Sequence, residues 1–243
     1  LMDFCYVWLR KLLGGTHPEF AEISTRNSGE LTGNVNMGRD IAHFTEGISS
    51  VFVRTAGRLQ DGAPLVFTYH HNKLDAYVPL AVAILDSGLA CSASLPCPAE
   101  MGASIHINGT GSSVIDTVFV CRRTGRVPRR WVVSNPVELA RLIQDEVGEL
   151  EAGGLKATQG DIRCMIHGHL TRLAVWNLTG TWKPSLPVED RMAVIRKWHG
   201  DFGGIEAVLR AMGQNYTSVS QYQNWPSDYR LEETPETYDE IPF

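Results

Sequence analysis

Residues 64–69 read PLVFTY, a short run of apolar and β-favouring side chains entered through a proline and left through His70 and His71. A short apolar run with β-forming residues is the pattern of a strand buried on both faces, as in a parallel sheet. Working outward, residues 41–59 carry apolar side chains at helical spacing (Phe44, Ile48, Val51, Phe52) and stop at Asp61-Gly62. A second helix is expected over residues 74–85, closing at Asp86-Ser87-Gly88, with a short strand over 91–95. Residues 102–113 are rich in Gly, Ser and Asn and read as a loop, and VIDTVFVC at 114–121 is a further strong strand. Helix, strand, helix, strand, loop, strand predicts an α/β fold: the trailing half of a doubly wound, Rossmann-like sheet that ends in an antiparallel hairpin.

Further out, DFCYVWLRKLL at 3–13 has an amphipathic period through Phe4, Val7, Trp8 and Leu12 and meets Gly14-Gly15. Its aromatics read as core packing, and residues 16–40 as a loop. After Arg130 the pattern turns helical, over 136–150 behind a Ser134 or Asn135 cap, over 158–176 opening with Thr158 and Asp161, and over 187–198 and 204–212. The expected divisions are 1–130 for the α/β part, 131–220 for a helical extension and 221–243 for a loosely ordered acidic tail.

The chain has 243 residues, enough for a sizeable core, and a net charge of −5, so no global basic field points to nucleic acid. A nucleic-acid role must rest on a local patch. The cysteines, Cys5, Cys91, Cys97, Cys121 and Cys164, are odd in number and form no CxxC pair. That argues against a zinc site or a disulfide framework and for reduced thiols in the cytoplasm. No segment approaches the length of a transmembrane helix. The first residue is Leu1, as in a fragment of a longer protein.

Tyr69, His70 and His71 fall at the C-terminal end of an expected strand, where open α/β sheets bind ligands. They are candidates for lining a base or cofactor pocket, with Lys73 reaching a phosphate; otherwise they merely cap the strand. Two adjacent histidines are poor joint ligands for one metal. Arg122, Arg123, Arg126, Arg129 and Arg130 form the densest basic cluster, suited to holding DNA phosphates, or else to a solvated hairpin tip. His167 and His169, two apart on a helix, face different sides.

Three segments together resemble adenine-specific DNA methyltransferases that carry an N-terminal domain of unknown function. They are DFCYVWLRKLL at 3–13, LVFTYHH at 65–71, and the stretch from LPCPAEM at 95–101 to SSVIDTVFVCRR at 112–123. The helix opening GDIRCMIHGHL at 160–170 is similar to the family's C-terminal extension. Glu30 and Glu100 match family positions, and Asp3, Tyr6 and Trp8 would lie beside the family's catalytic motif. Cys5 replaces an aromatic residue usual there, and Pro96 follows Leu95 where the family tends to have Trp. The chain contains no Asp/Asn-Pro-Pro-Tyr/Trp tetrapeptide and no glycine-rich strand–turn–helix of the cofactor type. In the family both lie upstream. The resemblance therefore implies part of an S-adenosylmethionine-dependent enzyme acting on double-stranded DNA, inactive alone. Alternatives are a DNA-binding or interaction module that keeps the sheet without its chemistry, and a methyltransferase acting on RNA, protein or a small molecule.

Overall fold

The computed structural model describes residues 2–24, 31, 39–98, 115–123, 126–128, 131–219 and 238–240. They fall into two units, residues 1–40 and 41–243. In the first, helix α1 (Met2–Leu13) ends at Gly14, where a Cβ would stand 2.6 Å from the Arg10 carbonyl oxygen, so only glycine fits. Tyr6 is buried, stacks on Phe20 at 6.2 Å and donates its hydroxyl hydrogen to the Glu22 carbonyl. Trp8, expected in a core, is 58% exposed; the helical period identifies the apolar face but not what covers it.

The second unit is built on strands β1 (Leu65–Tyr69), β2 (Ala90–Pro98) and β3 (Ile115–Arg122), in the order β1-β3-β2. Both outer strands pair antiparallel with β3. β1 and β2 therefore run parallel to each other, joined by helix α3 (Val78–Asp86), and β3 folds back between them. The fold is α/β, and β2 and β3 form the expected antiparallel hairpin.

One expectation is corrected. β1 is not a parallel strand buried on both faces: its only partner among the described residues is antiparallel, and Val66 is 52% exposed while Leu65, Phe67 and Tyr69 pack inward. An apolar run hides such alternation, because Val66 is apolar although it points outward. In β3 the alternation is visible. Ile115, Thr117, Phe119 and Cys121 are buried, and Asp116, Val118, Val120 and Arg122 are partly exposed.

The covered face packs against the helices. α2 (Ile41–Ala56) and α3 contribute to a core with Phe52, Tyr77, Phe119 and Ile195. Phe67 bridges it, 5.1 Å from Phe52 and 5.2 Å from Phe119. A second core joins α4 (Pro136–Ala152), α5 (Gln159–Leu178) and α7 (Gly204–Val219) through Leu139, Ile143, Ile166, Leu170 and Val208. α5 belongs to both cores and is buried almost continuously from Cys164 to Val175, as a helix walled in on all sides must be. It meets the sheet at Gly168, where an added Cβ would lie 2.6 Å from Ser94 Oγ and 2.7 Å from Thr117 Cγ2.

The helices after residue 131 thus pack on the strands within one unit. Buried Asp86 fastens α6 (Val188–Asp201) to this assembly, accepting from Ser49, Trp182 and Arg191. Of the expected tail, residues 238–240 form a strand, β5, paired antiparallel with β4 (Arg126–Pro128). The rest of the tail, the 102–113 loop, Glu30 and Glu100 lie outside the described residues. Among those described, no helix is long and apolar enough to cross a membrane.

Candidate functional site

Because β1 and β2 run the same way, their C-terminal ends share one end of the sheet with the first residue of β3, Ile115. That end gathers several polar side chains that face one another near the expected site. His70 Nδ1 lies 2.9 Å from the Ile115 carbonyl oxygen, and the Ile115 amide donates to buried Asp161 Oδ1 at 3.1 Å. Both backbone groups of Ile115 are therefore held by side chains. Asp161 is placed by a capping box: its amide donates to Thr158 Oγ1 at 3.1 Å, and its Oδ2 accepts from the Thr158 amide at 2.7 Å.

Behind this lies Tyr77, fully buried, whose hydroxyl accepts from the His71 amide at 3.3 Å and stands 3.3 Å from Cys164 Sγ. Thr117 Oγ1 approaches the same sulfur at 3.7 Å. His167 packs 5.3 Å from the Tyr77 ring, hydrogen-bonds the His71 backbone, and leaves its buried Nδ1 unpartnered. Burial sets the electrostatics. It pushes the Tyr77 hydroxyl far up, reinforced by Cys164, and raises Tyr69. It also lowers His167 to about 4, against the opposing bond to His71.

Each expected cofactor residue has a distinct place. Tyr69 turns inward, donating to the Ala76 carbonyl at 3.0 Å, with its ring edge-on to Tyr77 at 4.9 Å. His71 Nδ1 accepts from the Lys73 amide at 3.0 Å. His70 is exposed, with the Asp116 carboxylate 3.6 Å from its Nδ1. Cys164 Sγ is 3.8 Å from that same nitrogen, but its hydrogen is directed at the Ile115 carbonyl, so Nδ1 cannot take a thiol proton. The two adjacent histidines use Nδ1 on different partners. Among the described residues no three of His, Cys, Asp or Glu are grouped to hold a metal ion.

The expected DNA-binding residues are only partly brought together. Lys73 is exposed beside His71. Arg122 donates to Ser92 Oγ at 2.7 Å, and Arg123 to the Ala56 carbonyl at 2.6 Å, the end of α2. A guanidinium at a helix C-terminus satisfies an orphan carbonyl and the helix dipole together, which is a structural use of the charge. The Arg126 side chain, Arg129 and Arg130 lie outside the described residues.

Sequence reading missed a buried polar chain. His169 and His167 do point to opposite sides of α5, and His169 meets Glu146 of α4 at 2.9 Å. Arg172 is wholly buried, 4.4 Å from the Trp176 ring, and donates to His169 Nδ1 and, at 2.8 Å, to the Trp131 carbonyl. Since guanidinium can only donate, His169 accepts at Nδ1 and carries its hydrogen on Nε2, facing Glu146. The three-residue spacing of His169 and Arg172 was a signal for adjacency, but nothing marked Glu146 as their partner.

In the first unit, a depression of about 480 Å³ between α1 and the turn Pro18–Phe20 is lined by Val7, Arg10, Lys11 and Phe20 among others. Comparison with protein-family models, with curated proteins and with solved structures finds no match.

Proposed function

We propose that this chain is part of an S-adenosylmethionine-dependent DNA methyltransferase that modifies an adenine amino group. The carrying observation is the collinear resemblance over residues 3–170. The chain path supports it: two parallel strands joined by a helix, with the last strand folded back between them, is a form that the trailing edge of a doubly wound sheet with a terminal hairpin can take. Methylation of a base nitrogen depends on aiming the sulfonium carbon and polarising the amino group of a flipped-out base.

The residues here do not by themselves fit the cofactor. The Tyr69 hydroxyl and His71 Nδ1 are engaged within the chain, and His70 with Asp116 is what the strand end turns to solvent. On this reading Tyr69 and His71 shape the strand end, His70 borders the pocket, and the cofactor loop and catalytic motif come from outside this chain. A DNA-binding module without chemistry draws on the same arginines. Two of them are committed to Ser92 and Ala56, which favours the first reading.

Isothermal titration with S-adenosylmethionine tests the assignment. The chain alone is expected to give no binding heat, and the chain joined to the coding sequence ahead of it in its gene to bind. Tight binding by the chain alone would overturn the assignment of the cofactor site.

A further inference from the structure

Cys91 and Cys121 stand directly opposite each other in the β2–β3 ladder. Both are free thiols, fully buried in the same core as Phe119 and the α3 side chains. Cys91 Sγ lies 3.1 Å from the Ala93 carbonyl oxygen, to which it donates, and the Cys91 sulfur beside it helps burial raise the Cys121 thiol well above its ordinary range. Directly opposite residues of an antiparallel pair share a face, with Cα atoms about 4.5–5.5 Å apart. That separation lies inside the roughly 4.4–6.8 Å that a disulfide spans.

We propose that Cys91 and Cys121 are an oxidative modification site that closes to an intramolecular disulfide when the edge of the sheet opens to a hydroperoxide. One sulfur, as thiolate, attacks the peroxide oxygen; the O–O bond breaks, giving a sulfenic acid and water or an alcohol. The second sulfur attacks the first, the S–O bond breaks, and the hydroxyl leaves as water with the second thiol's proton. Two thiols and one hydroperoxide thus give one disulfide with water and water or alcohol, the peroxide taking both electrons.

The fold supplies the gate. Burial and the neighbouring sulfur keep the Cys121 thiol protonated, and a buried thiol is inert. Among the described residues β2 is an edge strand, and its ladder is already broken next to Cys91 by a register shift between Cys91 and Ala93. Two side chains hold that end shut: Trp176 Nε1 donates to the Cys91 carbonyl at 2.6 Å, and Arg122 donates to Ser92. Opening there frees both sulfurs together, and the disulfide then fastens β2 to β3.

The test uses the chain with both exposed cysteines silenced, Cys5→Ser and Cys97→Ser, leaving Cys91, Cys121 and Cys164. The folded protein is treated with hydrogen peroxide, alkylated and cut by a glutamate-specific protease, which separates Cys91 from Cys121 at Glu100. The expected product is a disulfide-joined Cys91–Cys121 peptide pair with Cys164 alkylated. It should form several-fold faster when Trp176→Phe removes the bond to Cys91, and hydrogen exchange along β2 should slow in the oxidised protein. Thiols that survive peroxide in both proteins, separate over-oxidation of the two cysteines, or equal pairing with Cys164 would each overturn the proposal.

Discussion

His70 Nδ1 stands 2.9 Å from the carbonyl oxygen of Ile115, so a side chain leaving β1 holds the first residue of β3. Asp161, on α5, holds the Ile115 amide at 3.1 Å. The strand end is thus braced from two elements, by one exposed group and one buried group. His70→Ala is expected to lower stability by about 1 kcal/mol, the net worth of one hydrogen bond. Asp161→Ala is expected to lower it by about 2–4 kcal/mol, since it removes the buried acceptor of the Ile115 amide and the carboxylate half of the capping box, leaving only Thr158 as the cap. Urea unfolding measures both, and equal losses would contradict this division.

Gly168 marks the closest approach of α5 to the sheet. Gly168→Ala places a methyl 2.6 Å from Ser94 Oγ and 2.7 Å from Thr117 Cγ2, neither on a long flexible side chain. The gain in helix propensity, about 1 kcal/mol, is expected to lose to an overpacking penalty of roughly 1–3 kcal/mol. Thermal unfolding should show a lower Tm, and a higher Tm would mean that α5 stands further from β2 and β3.

Glu146, His169 and Arg172 form one buried unit, in which the imidazole passes a hydrogen bond from a cation to an anion. Glu146→Ala leaves Arg172 without its balancing charge and is expected to destabilise by about 3–5 kcal/mol. Replacement of all three by apolar residues should be much milder than the sum of single changes. Chemical denaturation of the single and triple variants checks this, and additive losses would show that the three act independently.

His167 and His199 are both buried, each with one unpartnered ring nitrogen, and burial lowers both to about 4 from an ordinary 6.5. The unfolded chain therefore binds protons that the folded chain refuses. Their contribution is complete above about pH 6.5 and is lost progressively as pH falls towards 4, on the order of 3 kcal/mol for each group. Stability measured from pH 7 to 4 should fall along this window. His199→Gln should flatten the fall, and an unchanged slope would place the responsible groups elsewhere.

Much of the unit could be read from residue order. The alternation of Ile115, Thr117, Phe119 and Cys121 announces a half-buried strand, and Thr158 with Asp161 announces the start of α5. β1 was harder, because outward Val66 is as apolar as inward Phe67. The surroundings of the arginines were hidden for a different reason. Charge density along the chain identified Arg122 and Arg123, but only the fold brings the Ser92 hydroxyl and the Ala56 carbonyl to them. Cys91 and Cys121 lie far apart in sequence and carry no motif, so only the strand register pairs them.

The most direct test of the methyltransferase assignment is transfer of labelled methyl from S-adenosylmethionine into duplex DNA of random sequence. The protein assayed is this chain joined to the coding sequence ahead of it, followed by analysis of the modified base. The account predicts label on the adenine amino nitrogen, and none with the chain alone. No label in DNA from a folded, cofactor-binding protein, or label only in RNA or protein, would contradict it.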